Sequence, residues 1–128
     1  MHDSDGERGT AAVEFALVLP ILLVIALAIV QLGVVVRDEM MVVQAARAGA
    51  REAAVTPDPG AVRAASERSG VGLDGPNLGL AIVREGSQGD AVRVDIEYAE
   101  PVRVPFVAWL FPSSITLRAS AVARQEFA

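Results

Sequence analysis

The chain has 128 residues, of which 52% are hydrophobic and 5% aromatic, and its formal net charge at pH 7 is −5. Its eleven basic side chains are scattered along the chain, which argues against the clustered basic surface that phosphate neutralisation needs and so excludes nucleic acid as a partner. The lack of cysteine excludes disulfides, thiolate catalysis and cysteine-ligated metals.

A polar stretch, residues 1–9, precedes a continuous apolar segment from Phe15 to Val36 that is broken by a single polar residue, Gln31. At a rise of about 1.5 Å per residue, a helix of this length spans roughly 33 Å, which matches the hydrocarbon thickness of a bilayer. We therefore predict one membrane-spanning helix over residues 15–36.

Two other interpretations of the apolar segment stay open at this point. It could be the buried helix of a water-soluble protein, although the rest of the chain is too small to surround it. It could also be a secretory signal peptide cut after Ala28, although the residues before it are acidic rather than basic and the apolar sequence continues beyond the cut.

An ionisable residue, Glu14, lies where the apolar segment begins, and a carboxylate in lipid is costly unless it is paired or at the interface. Residues Arg8–Pro20 resemble the processing site and helix start of TadE-like pseudopilins, the minor pilins of tight-adherence (Tad) systems, which are related to type IV pili. The resemblance continues through the small residues and arginines of Ala45–Arg51 and covers residues 8–55.

This resemblance implies a processing site between Gly9 and Thr10, where a prepilin peptidase would remove residues 1–9 as a leader. It implies that Glu14, followed by Phe15, pairs with the new amino group of a neighbouring subunit. The leader departs from the family pattern in being acidic instead of basic.

The function implied by the resemblance is structural, with no enzyme activity, catalytic residue, cofactor or metal. The protein would assemble with other pilin subunits and an inner-membrane platform into a Tad-type pilus, or prime it, for adhesion and secretion. It would lie in the lipid of the bacterial cytoplasmic membrane as a single-pass protein, with its N-terminus cytoplasmic and its C-terminal domain outside. The alternative is an uncleaved signal-anchor protein whose outer domain binds a ligand or partner.

Helix-forming residues continue beyond the membrane segment to Val55, where a Thr-Pro-Asp-Pro-Gly sequence ends them, so we predict one long helix over residues 10–55. Its polar face carries Gln44, Arg47 and Arg51, and its other face carries Val42, Ala45, Ala46, Gly49 and Ala53. Arg47 and Arg51 either contact acidic groups of an adjacent subunit or form a solvated surface.

Residues 56–128 are expected to form a small α+β domain outside the membrane. A short helix is predicted over Ala61–Arg68, followed by a loop, residues 69–77. The loop formally matches G-x-G-x-x-G, but a helix precedes it and no helix follows, which is the wrong context for a dinucleotide.

Three strands with alternating apolar residues are predicted, around Leu80–Glu85, Val92–Tyr98 and Ile115–Ala121, with a hairpin turn at Ser87–Asp90. The fold class is therefore α+β, with a long N-terminal helix and a small antiparallel sheet whose apolar face packs on that helix.

An apolar segment, Pro105–Pro112, holds Trp109 between two phenylalanines and is too short to span a bilayer. It is either a connection packed on the sheet, or a subunit contact or wedge at the membrane surface.

The chain has few side chains of the types that carry out catalysis. The only histidine is His2, within the leader, and the strand carboxylates Asp95 and Glu97 are interpreted as solvated charges on an exposed face. No catalytic, metal or cofactor residue is assigned.

Overall fold

A computed structural model describes the backbone of residues 4–103 and 108–128, and the side chains of these residues from Gly9 onward except that of Leu110. Two helices, α1 and α2, are followed by three strands, β1 to β3, with a short 3-10 turn before β1 and another before β3. The bounds are α1 Ser4–Val55, α2 Pro59–Ser69, turn Gly75–Asn77, β1 Leu78–Arg84, β2 Ala91–Pro101, turn Ala108–Leu110 and β3 Ser114–Arg124. The predicted α+β class is confirmed.

The long helix α1 has 52 residues and passes through Pro20 without ending. It ends at Val55, as predicted, but begins at Ser4 instead of the expected Thr10. No proline separates Ser4 from Thr10, and Glu7 and Arg8 are good helix formers, so nothing in this stretch stops the helix. Below, residues 9–36 of α1 are called the apolar half and residues 37–55 the packed half.

The second helix begins where the sequence predicts a break and runs antiparallel to α1. Asp58 caps it, because its carboxylate accepts hydrogen bonds from the amides of Gly60 at 2.9 Å and Ala61 at 3.3 Å. Close approach to α1 occurs at Gly49, where an added Cβ would collide with Ser66 Oγ and come to 3.1 Å from Val94 Cγ1. Small residues on α1 thus allow α2 and the sheet to lie directly against it.

The sheet is antiparallel in the order β1-β2-β3. Ile96 at its centre pairs with Leu80 on one side and Ala119 on the other. The predicted hairpin turn joins β1 to β2, where Gly89 adopts a φ of +92° and the amide of Asp90 donates to Ser87 O at 3.1 Å. All three predicted strands are therefore present.

One hydrophobic core joins the packed half of α1, helix α2 and the inner face of the sheet. The alternation predicted from the sequence is confirmed, since the inward residues of β2 are all buried. The buried residues of the core are Val42, Ala45, Ala46, Ala50, Ala53, Ala54, Val62, Leu78, Val92, Val94, Ile96, Tyr98 and Leu117. Residues 56–128 therefore share their core with α1.

The C-terminal end of α1 is fastened by a side chain from the sheet. The last turn of α1 has no basic residue. Instead, the Arg84 guanidinium of β1 donates to the carbonyl oxygens of Ala53 at 2.7 Å and Thr56 at 2.9 Å. These bonds satisfy carbonyl groups that a helix end leaves without partners. The amide of Glu126 donates to Ala54 O at 2.7 Å, which ties the C-terminal segment to the same place.

Candidate functional site

The apolar half of α1 is long and apolar enough to cross a membrane, and none of its most apolar window is buried against the rest of the chain. Large side chains such as Phe15, Ile21 and Ile29 are more than half exposed. The interpretation of this segment as the buried helix of a soluble protein is therefore wrong. Its surface suits a hydrocarbon environment better than water.

The predicted processing and pairing residues lie together at the start of the apolar half. Gly9, Thr10, Glu14 and Phe15 are all exposed on one uninterrupted helix. An added Cβ at Gly9 would meet nothing within 4 Å. None of the ion pairs between described side chains involves Glu14, so its carboxylate stands at the edge of the apolar surface available to an outside partner.

The predicted polar face of α1 is also exposed and lies apart from these residues. Gln44 and Arg47 line a shallow surface groove, and Arg51 follows one turn later. Among the side chains that the structure describes, neither arginine has a carboxylate within ion-pair distance. The groove also includes Val36, Glu39, Met40 and Val43.

Trp109 lies on the 3-10 turn between β2 and β3 and is 82% exposed. The interpretation that it belongs to a connection packed on the sheet is therefore wrong for this side chain. Of the apolar segment Pro105–Pro112, the part before Ala108 lies outside the described residues.

A buried acidic pair that the sequence analysis missed joins α1 to the end of β2. Asp38 and Glu100 are 4% and 7% exposed and line the same cleft between α1 and the end of β2. Arg37 Nη1 lies 3.0 Å from Asp38 Oδ1. Nearby, the hydroxyl of Tyr98 accepts a hydrogen bond from the amide of Asp74 at 3.2 Å.

The environment of the pair favours a proton on Glu100. The pKa of this carboxyl is raised from 4.5 to about 7, mainly by burial and also by the hydrogen bond and negative charge of Asp38, while Arg103 acts in the opposite direction. Burial also raises the pKa of Tyr98. Glu100 thus holds its proton more tightly than an exposed carboxyl does, at the contact between helix and sheet.

A sequence signal for this pair existed. Glu100 continues the inward alternation of Val94, Ile96 and Tyr98, and Asp38 lies four residues before Val42 on the buried face of α1. The outer-face carboxylates form surface ion pairs, Asp95 with Arg93 and Glu97 with Arg118, each at 3.1 Å.

Comparison with known proteins gives a family match, which lies in the long helix. Residues 9–51 match the family described as TadE-like protein, which is a structural, pilus-associated family. The match begins at Gly9, ends at Arg51 and lies entirely within α1, so the resemblance predicted from the residues is confirmed there. No curated protein and no solved structure matches the chain.

Proposed function

We propose that this chain, a TadE-like protein over residues 9–51, is a pseudopilin or minor pilin subunit of a Tad-type pilus. It is cut after Gly9 by a prepilin peptidase, and then joins the pilus or primes its assembly for adhesion and secretion. The observation that carries this proposal is the exposed helix whose family match starts at the glycine five residues before Glu14.

The proposed pairing explains why an acid lies at the edge of an apolar surface. Cutting after Gly9 gives Thr10 a positively charged amino group, and the mature chain then carries Glu14 as its fifth residue. A carboxylate in hydrocarbon is strongly disfavoured alone, and an ammonium group from a neighbouring subunit offsets that cost. Assembly through the apolar half is therefore coupled to processing.

The packed half of α1 contributes a second set of contacts in this proposal. Arg47 and Arg51 carry charge on the exposed face of the helix, where carboxylates of an adjacent subunit can reach them. The proposed orientation places the N-terminus in the cytoplasm and the sheet outside. The partners are the prepilin peptidase, other pilin subunits, the inner-membrane platform and membrane lipid.

Mass spectrometry of the protein purified from membranes of a host with a Tad system tests the processing step. We expect a mature chain that begins at Thr10. A chain that keeps residues 1–9 would favour the uncleaved signal-anchor alternative, and a chain that begins at Ile29 would show a secreted protein. Either result would overturn the proposal.

Substitution of Glu14 tests the pairing step. We expect Glu14→Ala and Glu14→Gln to insert and be cut normally but to enter pili about tenfold less or worse, because the charge partner of the amino group is lost. Quantification of the subunit in sheared pili measures the effect. Glu85→Ala, which removes an exposed carboxylate far from the apolar half, is the matched control. Normal incorporation of Glu14→Ala would contradict the pairing.

A further inference from the structure

The end of the β2–β3 hairpin lies beside the apolar half of α1. We call the described residues Pro101–Arg103 and Ala108–Ser113 the hairpin tip. Glu100, directly before the tip, contacts Asp38, and the tip residues Pro101 and Arg103 line the same cleft as Gln31 and Val34. The described residues just beyond Glu100 therefore lie beside the last two turns of the apolar half.

One face of the apolar half of α1 is less exposed than the others. Half-buried positions recur at intervals of three and four residues, while residues between them, such as Ile25, Ile29 and Leu32, are more than half exposed. The half-buried positions are Val24, Leu27, Ala28, Gln31 and Val35. These positions lie on the same face of α1 as Asp38. The first of them, Val24, is roughly 18 Å along the helix axis from the end of the apolar half at Val36. The described start of the tip, Pro101 and Arg103, lies on this side of α1, beside Gln31.

The side chains of the tip suit the boundary between lipid and water. Trp109 is 82% exposed, and Phe111 and Val102 are half-buried. Arg103 is the only charged residue of the tip. Tryptophan is enriched at membrane interfaces because its ring is apolar while its N–H needs a polar partner. A long arginine side chain can extend from such a site to lipid phosphates.

We propose that the hairpin tip docks into the outer boundary of the same bilayer that α1 crosses, with the indole of Trp109 in lipid. Lipid is a better candidate than another protein, because the tip lies next to a helix whose apolar surface needs hydrocarbon on its remaining sides. The proposal rests on the membrane anchoring in the proposed function but not on processing or pilus assembly.

Tryptophan fluorescence of the full chain tests this docking, because Trp109 is the only tryptophan. The protein is reconstituted at low protein-to-lipid ratio into phosphatidylcholine vesicles with or without brominated acyl chains. We expect a blue-shifted emission that is quenched by the brominated lipid and protected from iodide in the buffer. An emission typical of water that iodide quenches and brominated lipid does not would overturn the proposal.

Two variants in a Trp109→Phe background calibrate the measurement. Ile29→Trp places an indole in the apolar half, and Val122→Trp places one at an exposed position near the far end of β3. We expect brominated lipid to quench the first and iodide the second. If brominated lipid quenches Ile29→Trp but not Trp109, docking fails while anchoring holds. If it quenches neither, anchoring itself fails and the docking falls with it.

A subunit contact at Trp109 is the remaining outcome. In that case the blue shift of the Trp109 emission would grow with the protein-to-lipid ratio and brominated lipid would not quench it. This result would also overturn the proposal, since the indole would then be covered by protein.

Discussion

The two halves of α1 differ in the size of their side chains and in what surrounds them. In the apolar half, large residues such as Phe15, Ile21 and Leu23 are more than half exposed. In the packed half, the buried face consists mainly of alanine, with Gly49 where α2 approaches closely. One continuous helix thus meets two different environments.

This difference indicates that the side-chain size at each position of α1 depends on what surrounds that position more than on helix propensity. Small residues occur where α2 and the sheet must approach the backbone, because close packing leaves no room for branched side chains. Large apolar residues occur in the apolar half, where the chain leaves most side chains exposed, and hydrocarbon is the medium that accepts them.

The same substitution in each half should give the sharpest contrast. Gly49→Leu is expected to lower the free energy of unfolding by about 3 kcal/mol, because its side chain would collide with Ser66 and Val94. An added Cβ at Gly33 meets nothing within 4 Å, so Gly33→Leu is expected to change stability by less than about 1 kcal/mol, in the stabilising direction. Urea unfolding of both variants in detergent micelles measures the difference. Equal losses would contradict the division of α1 into two environments.

A charge placed in each half should separate membrane insertion from folding. Leu23→Arg puts a guanidinium in the middle of the apolar half and is expected to weaken insertion by about 3 kcal/mol. The fraction of chains that resists extraction from membranes by alkaline carbonate should fall accordingly. Gln44→Arg is the matched control on the exposed polar face and should remain as resistant as the unaltered chain. Loss of resistance in Gln44→Arg alone would reverse the assignment of the halves.

The boundary between the halves should respond to pH through Glu100. Its pKa is raised to about 7 in the folded chain, so the folded state binds the proton more tightly than the unfolded state does. The free energy of unfolding should therefore fall as the pH rises from about 4.5 to about 7, by an amount on the order of 2 kcal/mol. Glu100→Gln, which keeps a donor for Asp38, should remove most of this slope in urea unfolding. An unchanged slope would place its origin elsewhere.

Much of this fold could be predicted because its sequence patterns are simple. The alternation in β2, the break after Val55 and the turn at Gly89 each depend on neighbours within a few residues. The span of residues 15–36 depends on composition and length alone. Such local and compositional signals do not need a three-dimensional partner to be read.

The acidic pair escaped prediction for a physical reason. Asp38 and Glu100 are far apart in sequence, and each has a charge that usually indicates exposure. Only the register of the β2 hairpin against α1 brings them together, and burial at this contact raises the pKa of Glu100. The exposure of Trp109 likewise depends on where the hairpin ends relative to α1, which the sequence leaves open between two interpretations.

The Arg84 bonds at the end of α1 have a mechanical consequence. The Arg84 guanidinium binds carbonyl groups at the end of α1, and the amide of Glu126 binds another one there. The sheet is therefore attached directly to this end of the helix. When α1 tilts, the sheet is expected to tilt with it. A tilt or twist of α1 is therefore passed on to the sheet instead of being taken up at this junction.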